Sequence, residues 1–77
     1  MLKEYRKAHF YADRALRRKA DNVKALYNRA IAGSYLDLFE EAEADFKKVL
    51  LMNPRDAKAK SEYDKLKSKI SQGKKQK

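Results

Sequence analysis

With 77 residues, 40% of them charged and no cysteine, the chain has material for one small domain but none for disulfide staples or a thiolate metal site. A domain of this size removes only about 60% of its unfolded surface from water, too little to support a catalytic cleft of its own. The net charge of +9 is uneven, with 11 basic and 8 acidic residues through Pro54 and 9 basic and 3 acidic from Arg55 onward, so attraction for anionic partners concentrates at the C-terminal end.

Between Leu2 and Lys19, the positions Tyr5, Ala8, Ala12, Ala15 and Leu16 recur at spacings of three and four, which places them on one stripe of a first helix. Asp21 or Asn22 is suited to cap a second helix, because a short polar side chain accepts from unpaired N–H groups at a helix start. That helix is expected from about Val23 to Leu36, with Leu26, Ala30 and Tyr35 inward. Gly33 costs it about 1 kcal/mol relative to alanine and marks a close backbone approach.

Asp37-Leu38 is a short break. Phe39, Ala42, Phe46, Val49 and Leu50 then define a third amphipathic helix, which Asn53-Pro54 ends because proline disfavours helical geometry in the residue before it. A fourth helix from about Arg55 carries Ala59, Tyr63, Leu66 and Ile70 on one side. The tail from Gln72 to Lys77 has little to bury and is expected to be disordered.

Displaced by 34 residues, the sequence overlies itself. Tyr5 meets Phe39, Ala8 meets Ala42, Leu16 meets Leu50, and Asn22-Val23-Lys24-Ala25 meets Asp56-Ala57-Lys58-Ala59. This is the period of a helical-hairpin array, an architecture used for binding rather than for reaction.

From Lys24 to Pro54 the chain resembles a tetratricopeptide repeat. The resemblance rests on Ala25-Leu26-Tyr27-Asn28, the small Ala30, Phe39-Glu40-Glu41-Ala42, Asp45-Phe46, Lys48-Val49-Leu50 and Asn53-Pro54. Gly33 stands where the family often has an aromatic, and Glu43 where it often has a branched apolar residue. The resemblance implies an all-α fold of about four antiparallel helices: a half repeat over 1–20, a full repeat over 21–54 and a capping helix over 55–71, followed by the basic tail 72–77.

Lys24 to Ala30, Phe39 to Ala42 and the lysine-rich last helix are similar to the final repeat of chaperone-associated immunophilins and related co-chaperones. That resemblance implies a protein-interaction module that grips the acidic C-terminal peptide of heat-shock chaperones, with no cofactor and no small-molecule substrate. Any prolyl isomerase domain of a parent protein would lie elsewhere. The clamp positions, four apart on the first helix of a repeat, hold Lys24 and Asn28, with Tyr27 and Ile31 as further peptide-binding candidates. Residues at i and i+4 share a helix face, and an ammonium with an amide donor suits a carboxylate. Arg29, one step along, is rotated by about 100° and aims elsewhere. The competing reading is that Lys24, Asn28 and Arg29 are solvated helix surface.

The family's clamp uses three repeats, and this chain offers one and a half. The first helix therefore lacks its mate, leaving Leu2, Tyr5, Phe10, Tyr11 and Ala12 as candidates for self-association or for contact with a partner. Two explanations compete: the chain is a C-terminal piece of a longer protein, or it pairs with a copy of itself as a homo-oligomer.

His9 and Asp13 are four apart, a spacing that suits a shared metal or an ion pair, but two ligands do not make a metal site, and surface or packing roles are expected. Glu40, Glu41, Glu43 and Asp45 lack the spacing of a calcium loop and favour the start of the third helix through its dipole. With no phosphate loop and no nucleophile set, no enzymatic activity is expected.

A rival function uses the basic C-terminus, from Lys58 to Lys77, to engage calmodulin, an anionic membrane or nucleic acid, with Tyr63, Leu66 and Ile70 as anchors in the first case. The absence of arginine beyond Arg55 counts against nucleic acid. No apolar run approaches the roughly 20 residues that span a bilayer, and the first residues do not open a secretory signal. The expected compartment is the cytoplasm, with the nucleus second.

Overall fold

A computed structural model of the chain describes the backbone of residues 2–75 and the side chains of residues 4–71. Four helices follow one another, α1 (Leu2–Arg18), α2 (Val23–Tyr35), α3 (Phe39–Met52) and α4 (Ala57–Lys75). There is no strand among the described residues. Each helix packs on the next, and α4 also returns to touch α2. The fold is all-α and built of helical hairpins, as the sequence predicts.

The caps account for where the helices begin and end. Asn22 Oδ1 accepts from the Ala25 N–H at 3.1 Å, and Asp56 Oδ1 accepts from the Ala59 N–H at 3.0 Å. The two caps stand 34 residues apart in sequence, so the sequence period recurs as a structural element. Asp56 in the cap position moves the start of α4 to Ala57 from the expected Arg55. At its other end α4 continues to Lys75, beyond the expected Ser71; Gln76 and Lys77 lie outside the described residues.

At the end of α2 the Leu38 N–H donates back to the Gly33 carbonyl at 2.8 Å, with Asp37 left-handed at φ 64°. This is the Schellman arrangement, in which a residue of positive φ turns the chain so that orphan carbonyls find donors. Glycine is usual at that position, and aspartate is among the few side chains that tolerate it. Gly33 does mark a close approach: a Cβ there would stand 3.4 Å from both the Ala42 Cβ and the Leu38 carbonyl oxygen.

The core lies between the helices along their small-residue faces. Ala30 and Ala42 are fully buried and bring α2 and α3 together, while Phe46, Leu26, Leu66 and Val49 fill the interior. Burial of each of these four is worth about 1.5–3 kcal/mol. Ala59 and Leu66 seal the open side of the α2–α3 hairpin from α4, with Tyr63 and Ile70 packed against the same cluster.

Three expected placements are corrected. Ala12 is 5% exposed and belongs to the core rather than to an open face of α1, as its spacing from Ala8 and Leu16 requires. Tyr35 is not inward but exposed, because it lies five residues beyond Ala30 and leaves the buried stripe. Tyr5 is half-buried rather than open, since its ring stacks on Tyr35 with centroids 4.2 Å apart.

Candidate peptide-binding face

Helix α2 is central, packed by α1, α3 and α4. Its buried residues Ala25, Leu26, Ala30, Ala32 and Gly33 span an arc of about 160° at 100° per residue, and the opposite side carries its exposed residues. Lys24 and Asn28 are both exposed on that side. They line one hollow of about 290 Å³ with Tyr11 and Ala15 of α1 opposite, Asn22 at its end, and Ala8, Ala12 and Ala25 completing it. A second hollow of about 350 Å³ shares Ala8 and Asn28 with the first and adds Tyr5, Tyr27, Ile31, Ala32, Tyr35 and Glu62. All four residues expected to contact a peptide, Lys24, Tyr27, Asn28 and Ile31, therefore line one continuous trough.

The trough is electrically polarised. Lys24 stands at one end and forms no ion pair among the described residues. Glu62, which the sequence reading missed, supplies a carboxylate at the other. Tyr27 is held by an edge-to-face contact with Phe46, centroids 6.0 Å apart. Burial pushes the Tyr27 phenol above its ordinary value near 10, and the negative charges of Glu62 and Asp56 push in the same direction. A second negative charge at that end is thus disfavoured, whereas the Lys24 end favours one.

Arg29 points away from this face, as expected, but it is not solvated surface. Its Nε and Nη2 donate to the two oxygens of Asp45 at 2.8 and 2.9 Å, and its Nη1 donates to Asp13 at 2.8 Å. The guanidinium fork joins three helices, and Arg17 Nε lies 3.3 Å from the other oxygen of Asp13. The bonds to Asp45, outweighing burial, hold the Arg29 pKa above its ordinary value. Asp45 is 4% exposed; it does more than favour the start of α3. His9 pairs with Glu41 across α1 and α3 at 2.5 Å rather than with Asp13. Every buried polar side-chain atom among the described residues has a partner.

The self-association candidates separate. Phe10 and Tyr11 are exposed and pack edge to face, centroids 5.5 Å apart, while Ala12 is buried and Tyr5 is engaged by Tyr35. The side chain of Leu2 lies outside the described ones. On α4, Leu66 is in the core and Tyr63 and Ile70 pack against it, so the stripe that would anchor calmodulin already seals the bundle. Among the described residues no helix is long and apolar enough to cross a membrane, and no cluster of three or more His, Asp or Glu could hold a metal ion.

No family model matches the chain. Over 64 residues it is 45% identical to the FK506-binding protein-like protein of Mus musculus and 42% identical to that of Homo sapiens, in each case across 83% of this chain and 18% of the relative. The protein of the same description from Rattus norvegicus is 42% identical over 62 residues, which cover 80% of this chain and 17% of the relative. The chain thus spans less than a fifth of the length of these relatives and is homologous to one segment of immunophilin-like proteins.

Proposed function

We propose that the chain is a tetratricopeptide interaction module of a co-chaperone or immunophilin-like protein, which binds an acidic, carboxylate-terminated peptide such as the C-terminus of a heat-shock chaperone. It acts in the cytoplasm without catalysis of its own. Recurrence of the Asn22 and Asp56 caps at the repeat period, and the return of α4 to α2, support the repeat reading. The names of the relatives support the immunophilin setting.

One observation carries the binding reading: Lys24 and Asn28 are exposed four residues apart and line the same hollow, with the lysine unpaired among the described residues. Lys24 would supply charge and Asn28 a directed amide donor to the terminal carboxylate. Glu62 at the far end repels an acidic residue, which fixes the direction of the peptide, while Tyr27 and Ile31 offer apolar contact to its penultimate side chain. Calorimetric titration with a short glutamate-rich peptide ending in a free carboxylate tests this. Amidation of that terminus, Lys24→Ala or Asn28→Ala should each weaken binding about tenfold or more, the worth of a lost charge-assisted bond. Equal affinity for the free and amidated peptides would reject it.

A further inference from the structure

We propose that the seam between α1 and α2 is a docking site for an acidic amphipathic helix supplied by another protein, which goes beyond the terminal-carboxylate reading although Lys24 borders both sites. The hollow beside Lys24 continues along α1 into another of about 570 Å³ that includes Tyr11, Arg14, Arg18 and Lys19. Every charged side chain lining these two hollows is cationic. Among the described residues Arg18, Lys19 and Lys24 form no ion pair, in contrast to Arg17 and Arg29, which Asp13 engages. The seam therefore presents an uncompensated positive field around an apolar floor.

Tyr11 projects over that floor, 62% exposed. The Arg14 guanidinium lies 5.7 Å from the Phe10 ring centroid. A large aromatic beside uncompensated cations is the surface expected where an apolar stripe flanked by carboxylates is received. From Ala8 to Lys19 the seam extends about 17 Å at 1.5 Å per residue, the length of three helical turns. Ala15 at its base leaves room for a cylindrical partner. A flat bilayer would meet the cationic rim without reaching the floor. A second copy of this chain is disfavoured by its net charge of +9, and its Asp13, Glu41 and Asp45 are already used in internal pairs.

The test uses the 77-residue chain and a synthetic helix of about three heptads, acetylated and amidated, with leucines at a and d and glutamates flanking them. An analogue with glutamine in place of every glutamate is the control. The glutamate helix should bind at least tenfold tighter than the glutamine helix, with an affinity that falls as salt rises from about 0.05 to 0.3 M. Arg14→Glu with Arg18→Glu should weaken it about tenfold or more, and Tyr11→Ala should also weaken it, while circular dichroism stays unchanged. Amidation separates the two readings: the glutamate helix carries no free carboxylate and must bind all the same, whereas the short peptide must lose about tenfold when its terminus is amidated, so either reading can fail without the other. Equal binding of the two helices, indifference to charge reversal, dimerisation abolished by Tyr11→Ala, or preference for phosphatidylserine vesicles over the peptide would each overturn the proposal.

Discussion

Replacing Arg29 with methionine removes three donors from the centre of the bundle and leaves Asp45, at 4% exposure, with none of its own. Breaking a buried ion pair from one side costs about 3–5 kcal/mol, because the remaining carboxylate keeps its desolvation penalty and loses its compensation. Here the Arg29 side chain is 19% exposed, and Asp13, 34% exposed, can still turn to Arg17. The expected cost is therefore at the lower end, about 3 kcal/mol. A chain of this length has a total stability of about 4–12 kcal/mol, so the variant should be marginal, with a melting temperature lower by about 12–24 °C. Urea unfolding followed by helical circular dichroism measures the difference. Pairing Arg29→Met with Asp45→Leu should recover most of the loss, since the orphaned charge is then gone. A single variant that loses less than about 1 kcal/mol, or a double variant no better than the single, would refute the assignment and reduce the network to surface decoration.

Gly33→Ala should be neutral or stabilising by up to about 1 kcal/mol, because the helix gains propensity and the new methyl meets Ala42 and Leu38 at 3.4 Å, ordinary contact; Gly33→Leu should destabilise, and thermal melts distinguish them. Asn22→Ala and Asp56→Ala should each cost about 1 kcal/mol in urea unfolding, since each removes an equivalent cap. Because the Tyr27 phenol is raised in the folded state, it stabilises the fold below pH 10 and that contribution is lost as pH rises through and beyond 10. Tyr27→Phe should therefore make the alkaline decline in melting temperature shallower, and an identical slope would count against burial of the phenol.

The helices were legible because alanine and aromatic positions recur at three and four; the Asp56 cap was not, although the repeat period aligns it with Asn22. The central ion network was not assigned, although its signal is present: Ala42, Asp45, Phe46 and Val49 follow the i, i+3, i+4, i+7 pattern, as do Leu26, Arg29, Ala30 and Gly33. A charge inside a buried stripe demands a partner, but the partner lies across a helix interface, and the relative rotation of two helices is set by packing that no single helix encodes. The same limit let Glu41 rather than Asp13 take His9. Ala12 is buried because it shares the stripe of Ala8 and Leu16, whereas its neighbours Phe10 and Tyr11 fall outside that stripe and are exposed. Lys24, Tyr27, Asn28 and Ile31 come together because one helix carries all four, whereas Glu62 joins them from a different helix and had no local signature.

The central claim is that the exposed strip of α2 recognises a terminal carboxylate. Backbone amide shifts followed during titration with the free-acid peptide, and again with its amide, test it most directly. The account predicts saturable shifts centred on Lys24 and Asn28 and extending to Ile31 with the free acid, and shifts at least tenfold weaker in apparent affinity with the amide. Shifts confined to α4, or identical titrations for the two peptides, would contradict it.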